Sequence, residues 1–322
     1  MLLAHLRVGP RPWRFAVRQW HYTAMMAARA QLRQRRSSMA QPTFLDRFLA
    51  KRLNGAGFAS RVTAVPGRQL HVLVGEGTGQ LPPIILVHGI SASAASYGPM
   101  MKILRQHFKQ IIVPDLPGHG LSAPLLGDTG HEDLFAAAAL SLRELISEPV
   151  FVFGNSMGGG FAMHWAEKHP ELTLGLILCS PAGAPTQQAD MQAFQASFRL
   201  DTLAKARIFA GKLTYRRMPA LIAWLMAPII KRGFASKTVL QILAQLRPDH
   251  GVTPEQLAKL TMPLLFLWGK AERLMPEAHF DYFAKHLPAH ARIERPTTFG
   301  HCPQFDRPAE VAKYVVEFAA KA

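Results

Sequence analysis

Residues 151–163, FVFGNSMGGGFAM, constrain this chain more than any other stretch. A short apolar run of β character over 149–153 ends in Gly154-Asn155-Ser156-Met157-Gly158, and small residues then open an apolar helical pattern. The run therefore predicts G-x-S-x-G at a strand–turn–helix joint. A serine hydroxyl is a poor nucleophile unless it is held exposed, beside a base and near donors for a developing oxyanion. The turn supplies exposure, and glycines on either side let backbone pass where a β-carbon would collide. A helix beginning at Met157 aims free N–H groups and the positive end of its dipole at the serine oxygen. The competing reading is a glycine-rich joint with an incidental serine, and the rest of the chain decides between the two.

From residue 58 onward the pattern alternates strand and helix. Residues 61–66 and 69–74 read as two strands around a Pro66-Gly67 turn, and 83–87 and 110–113 as short buried strands. Helical periodicity over 131–146 leads into the nucleophile strand, a helix follows over 157–169, and LGLILC (174–179) is again a strand. The sheet resumes at 263–268 and 291–295, with helices near 280–286 and over 308–320. Such alternation means βαβ units and a mostly parallel sheet flanked by helices.

Between 185 and 258 the alternation stops and only helical patterns remain, which predicts an inserted lid. Its apolar run PALIAWLMAPII (219–230) lies between Arg216-Arg217 and Lys231-Arg232. Twelve residues containing Pro228 are too few to span a bilayer. A helix buried within the lid is the favoured expectation; a lid helix that touches lipid is the alternative.

A nucleophilic serine needs a base, and the base needs an orienting acid. Two loops follow the last two strands, at the sheet edge where Ser156 should sit. One carries Gly269-Lys270-Ala271-Glu272-Arg273, the other Gly300-His301-Cys302-Pro303. The order is Ser156, Glu272, His301. With His88-Gly89 after the third strand, Asp115-x-Pro-Gly-x-Gly-x-Ser after the fourth, and G-x-S-x-G, five motifs stand in sequence. On these the chain resembles the α/β-hydrolase superfamily over residues 60–322, closest to bacterial and monoacylglycerol lipases with a GNSMGG turn. The resemblance implies Ser156 as nucleophile, His301 as general base then acid, and Glu272 as orienting carboxylate. It also implies Met157 and Ile90 as oxyanion N–H donors. Glu272 departs from the more usual Asp, so its loop should sit slightly farther back. Asp306 is assigned instead to capping the closing helix, Asp115 to the turn after strand four, and His119 to a structural role. Cys302 beside the base is not expected to act as a nucleophile.

No H-E-x-x-H or Cys/His cluster has zinc spacing, so neither metal nor cofactor is expected. Of the net charge of +16, ten units lie in residues 1–52, which hold eleven Lys/Arg against Asp46 alone. Trp13, Val17 and Trp20 share a face there beside an arginine stripe. That segment reads as an interfacial helix, a targeting segment or a disordered extension, and the sequence leaves all three open. No nucleic-acid recognition module accompanies the charge, so anionic membrane is the expected peripheral partner. Two cysteines imply no disulfide framework and suit a reducing compartment. The expected location is cytoplasmic, membrane-associated through the basic segment, with organellar targeting as the rival.

The expected architecture is a basic extension over 1–57, an α/β-hydrolase core over 58–184 and 259–322, and a helical lid over 185–258. The expected activity is hydrolysis of a small-molecule carboxylic ester with an apolar acyl chain, such as a monoacylglycerol, through an acyl-enzyme. Two rivals share the fold: a C–C hydrolase of meta-cleavage products, and a catalytically silent binding protein. The C–C hydrolases usually place an aromatic where this chain has Cys302.

Overall fold

The computed structural model describes residues 43–127, 129–216 and 218–322. The basic amphipathic stretch at the N-terminus lies outside them. The first described element is helix α1, Phe44–Gly55, opened by a capping box in which Thr43 and Asp46 satisfy each other's N–H groups. By sequence this helix belongs to the basic extension. In the structure it is part of the globular unit: Ala50 and Leu53 are buried, and Leu53 shares a cluster with Tyr97 and Met101. Its cations Lys51 and Arg52 face solvent, which is why its composition reads as extension.

An eight-stranded sheet follows: β1 (Ala59–Val62), β2 (His71–Glu76), β3 (Ile84–Val87), β4 (Gln110–Pro114), β5 (Val150–Asn155), β6 (Thr173–Cys179), β7 (Leu264–Leu267) and β8 (Arg292–Glu294). Their spatial order is β1-β2-β4-β3-β5-β6-β7-β8. β2 runs antiparallel to both neighbours, and the other pairings are parallel. The first hairpin is wider than its Pro66-Gly67 turn suggests, because Thr63 closes it against Leu70 through backbone and hydroxyl.

Successive side chains of the central strands enter opposite cores, as the pleat requires. Val152, Val87, Leu178 and Phe266 join one hydrophobic cluster; Phe153, Leu86, Ile177 and Leu267 join the other. Helices cover both faces: α2 (Gly98–Leu104) and the closing α12 (Pro308–Ala319) on the second, α3 (His131–Arg143), α4 (Met157–Lys168) and α10 (Glu277–His286) on the first. Between β6 and β7 the described residues form α5 (Gln188–Ser197), α6 (Leu203–Leu213), α7 (Ala220–Phe234), α8 (Lys237–Gln245) and α9 (Pro254–Ala258), with no strand. A short α11 (Pro303–Asp306) precedes α12.

The helix α7 is not buried. Ala227 and Phe234 face inward, while Leu221, Trp224 and Leu225 stand 66%, 58% and 51% exposed. A run this apolar reads as core from sequence, but only its inward side finds neighbours.

The strand order reverses at β3: the chain goes from β3 to β4 on one side, then returns to β5 on the other. Open α/β sheets bind ligands at such a switch point, outside the carboxyl ends of the strands. The loop after β3 and the turn after β5 meet there.

Candidate active site

Ser156 occupies the turn between β5 and α4 with φ 57° and ψ −122°. For a residue with a β-carbon this is a strained conformation, costing on the order of 1–3 kcal/mol. Close packing of the turn holds it. A β-carbon on Gly154 would lie 2.1 Å from the Gly158 carbonyl oxygen, and one on Gly158 would lie 2.2 Å from that of Val87. The Ser156 N–H donates to the Cys179 carbonyl, and its own carbonyl accepts from Ala182. Met157 is the first helical residue, so its N–H has no intrahelical acceptor.

The loop after β3 lies against the serine. A β-carbon on Gly89 would come 3.1 Å from Ser156 Cβ and 3.6 Å from its Oγ. His88 fixes that loop: its Nδ1–H donates to the Gly89 carbonyl at 2.8 Å, and its Nε2 accepts from Leu116 N–H at 3.0 Å. Burial lowers the His88 pKa and keeps the ring neutral, as this pairing needs. Ile90, next along, lines the same cavity as Ser156 and Met157.

The acid and the base come from the loops after β7 and β8. His301 Nδ1 lies 2.8 Å from Glu272 Oε2, with both side chains 3% exposed. Glu272 Oε1 accepts from the N–H groups of Leu274 (2.7 Å) and Met275 (3.1 Å), so the longer side chain folds back onto its own loop. Burial alone would raise the Glu272 pKa. The His301 charge and hydrogen bond, with those two N–H groups, outweigh it and bring the carboxyl from 4.5 to about 2. Neighbouring Arg273 turns away and donates to the carbonyls of Thr214 and Tyr215 in the helical insertion. Ser156 Oγ forms no hydrogen bond to His301 among those of the described residues; apo sites often close this bond only with substrate bound.

Sequence reasoning missed Asn155, which joins serine turn to histidine loop. Only 1% exposed, it donates from Nδ2 to the carbonyls of His301 (2.8 Å) and Cys179 (3.0 Å). Its Oδ1 accepts from Gln304 Nε2 at 3.0 Å and from Cys302 Sγ at 3.4 Å. The one available signal was a polar residue between Gly154 and Ser156, which looks the same whether it is buried or in water. Cys302 is buried and its thiol pKa is pushed well up, so it stays protonated.

The remaining acids are engaged elsewhere. Asp115 accepts from Ala94 N–H and Leu121 N–H and pairs with His71, the turn role expected of it. Asp306 does not cap the closing helix; its Oδ2 accepts from Arg216 N–H and ties the His301 side of the sheet to the insertion. His119 is structural: its Nδ1 pairs with the Pro117 carbonyl, and burial beside His88 drops its pKa to about 3. Among the described residues no group of three or more His, Cys, Asp and Glu could hold a metal ion.

A cavity of about 620 Å³ opens on Ser156. It follows one face of α4 through Ser156, Gly160, His164 and Lys168, spaced four apart, over about 18 Å of helix. Phe194, Phe198, Ile242 and Leu243 of the insertion line it from above.

The sequence profile described as "Serine aminopeptidase, S33" (Hydrolase_4) matches residues 82–308. The chain belongs to this family. It is an α/β-hydrolase of the serine-hydrolase type. A monoacylglycerol lipase, ABHD6 of Bos taurus, is 24% identical over 262 residues, covering 75% of this hydrolase and 76% of its own length. Among solved structures, a bacterial membrane phospholipase A superposes with a TM-score of 0.73 at 23% identity, covering 96% of this chain and 98% of its own. The 2-hydroxy-6-oxo-6-phenylhexa-2,4-dienoate hydrolase of Rhodococcus sp. strain RHA1 superposes at 0.67 and 23%, over 82% and 100%. At these identities the two structures show the fold alone.

Proposed function

We propose that this hydrolase cleaves carboxylic esters of lipid type through an acyl-enzyme on Ser156. His301 Nε2 takes the hydroxyl proton as Oγ attacks the ester carbonyl, while Glu272 holds Nδ1–H and steadies the imidazolium. The N–H groups of Met157 and Ile90 receive the oxyanion. The tetrahedral species collapses, His301 gives its proton to the departing alcohol, and water then repeats the sequence to release the acid.

The observation that carries this reading is the buried Glu272–His301 pair at 2.8 Å, bound through Asn155 to a serine turn that opens on an apolar-roofed cavity. The apolar lining of Met157, Met163, Phe194, Phe198, Ile242 and Leu243 suits an acyl chain, while His164, Glu167 and Lys168 line the cavity farther along α4 and suit a polar group. The ABHD6 relative, named a monoacylglycerol lipase, supports an ester of that kind. Residues 58–184 and 259–322 act as the catalytic core and 185–258 as its lid. The chemistry calls for no cofactor or metal. The basic residues 1–52 provide peripheral contact with anionic membrane from a cytoplasmic location.

A panel of p-nitrophenyl esters of graded chain length, a monoacylglycerol and a dienoic ring-cleavage product tests the reading. Ester turnover rising with chain length is expected. Turnover of the dienoic compound without ester cleavage would assign the site to C–C hydrolysis instead.

A further inference from the structure

The helical insertion has two faces, and the reaction uses only the inner one. Its inner side chains roof the cavity, and Phe198, Phe209 and Phe234 pack ring against ring, Phe209 edge-on to the other two, to join inner helices to outer ones. The outer face is formed by α6 and α7. On α7, Leu221, Trp224 and Leu225 recur at i, i+3 and i+4 and stand more than half exposed, with Ile222 beside them at 44%. Ile208 of α6 is 66% exposed. A lone exposed leucine needs no explanation, but large apolar side chains adjacent on one helix, with another on the helix packed beside it, mark an interaction surface.

Charge says which partner fits. Residues 202–248 contain nine Lys/Arg (205, 207, 212, 216, 217, 231, 232, 237 and 247) and no Asp or Glu. Arg207, Arg216 and Arg232 are exposed at the two helices and their flanks. A second copy of this face would bring like charges together. An apolar stripe with a tryptophan, flanked by cations, is instead the pattern of a helix lying in the interface of a negatively charged bilayer. α7 has 15 residues and carries Pro228, and no described helix is long and apolar enough to cross a membrane. It can lie in the interface plane only.

We propose that the outer face of α6 and α7 docks on anionic lipid bilayers, with Leu221, Trp224 and Leu225 entering the interface and Arg207, Arg216 and Arg232 meeting head groups. This goes beyond the esterase reading and is independent of the basic N-terminal residues. It gives the insertion two tasks, holding the cavity closed on one side and resting on lipid with the other.

The test uses the full chain and vesicles of phosphatidylcholine with or without phosphatidylglycerol. Cys179 and Cys302 are buried, so a polarity-sensitive fluorophore can be attached to Leu221→Cys. A blue shift of that fluorophore on phosphatidylglycerol vesicles, weakened by salt, is expected. The triple variant Leu221→Ser/Trp224→Ser/Leu225→Ser should bind these vesicles about a hundredfold less tightly, yet hydrolyse a soluble butyrate ester at the wild-type rate. Arg207→Gln/Arg216→Gln/Arg232→Gln should weaken the preference for anionic over neutral vesicles, residues 1–52 keeping the remainder. A fluorophore that stays in water on bound protein, or a triple variant that binds like wild type, would overturn the proposal and leave binding to residues 1–52. A wild-type dimer that the triple variant splits would make the face a self-association surface and overturn it equally. Loss of ester hydrolysis in wild type would strike the esterase reading alone, since vesicle binding is read separately.

Discussion

Glu272→Gln tests the acid–base arrangement at its most specific point. Glu272 Oε1 faces two N–H donors, those of Leu274 and Met275, while Oε2 faces His301 Nδ1. A glutamine can present its oxygen to only one side. With oxygen toward the loop it keeps two hydrogen bonds, but its NH2 then meets Nδ1, which must become an acceptor. The ring proton moves to Nε2, and His301 is no longer a base for Ser156. With oxygen toward Nδ1–H the tautomer is right, but the NH2 meets two donors and two bonds are lost. The second arrangement is worse by two hydrogen bonds between neutral groups, roughly 1–3 kcal/mol, so the productive tautomer becomes a minor species by a factor of about 5 to 150. The carboxylate that steadies the imidazolium is also gone. The lowered Glu272 pKa reflects both His301 and the two loop N–H groups; a charge-assisted bond of the His301 kind is worth about 1.5–3 kcal/mol, or a further ten- to hundredfold. A fall in kcat of roughly 10²–10⁴ is therefore expected, with KM little changed. Steady-state kinetics on a short p-nitrophenyl ester measures it, and Glu272→Asp should be the milder change. Because the folded-state pKa is lowered, Glu272 contributes stability that is present above about pH 4.5 and lost as pH falls through about 2. Acid unfolding of the Gln variant should be less steep across that window. A Glu272→Gln enzyme within tenfold of wild type would refute the reasoning and move the orienting role elsewhere.

Two further predictions follow from the serine turn. Asn155→Ala strips buried partners from the carbonyls of His301 and Cys179 and from the Gln304 amide, so about 2–4 kcal/mol of stability and ten- to a hundredfold in kcat should be lost; thermal denaturation and kinetics check both. Gly158→Ala places a β-carbon 2.2 Å from the Val87 carbonyl oxygen and should abolish folding, whereas Gly160→Ala, with nothing nearer than 3.4 Å, should fold normally; circular dichroism of the purified variants separates them.

Much of the site was legible because its residues sit where local pattern is strongest. An apolar strand ending at Gly154 and a helix starting at Met157 place Ser156 at a strand end, and the loops of Glu272 and His301 follow two more strands of the same parallel sheet. Local pattern carries no information about partners distant in sequence. Asn155 reaches residues 24 and 146 positions away, and nothing in its neighbours announces that. Helix α1 looked like part of a basic tail because its buried side, Ala50 and Leu53, is narrow and its cations dominate the composition. Helix α7 misled in the opposite direction. Its apolar run says that burial is favourable, but the fold offers it neighbours on one side only.

The central claim is that Ser156 alone forms the covalent intermediate, activated by His301. Intact-protein and peptide mass spectrometry after treatment with a fluorophosphonate ester test it directly. One adduct per chain at Ser156 is expected in wild type, none in Ser156→Ala, and labelling slower by orders of magnitude in His301→Ala. An adduct on any other serine that tracks the loss of activity, or undiminished ester hydrolysis by Ser156→Ala, would contradict it.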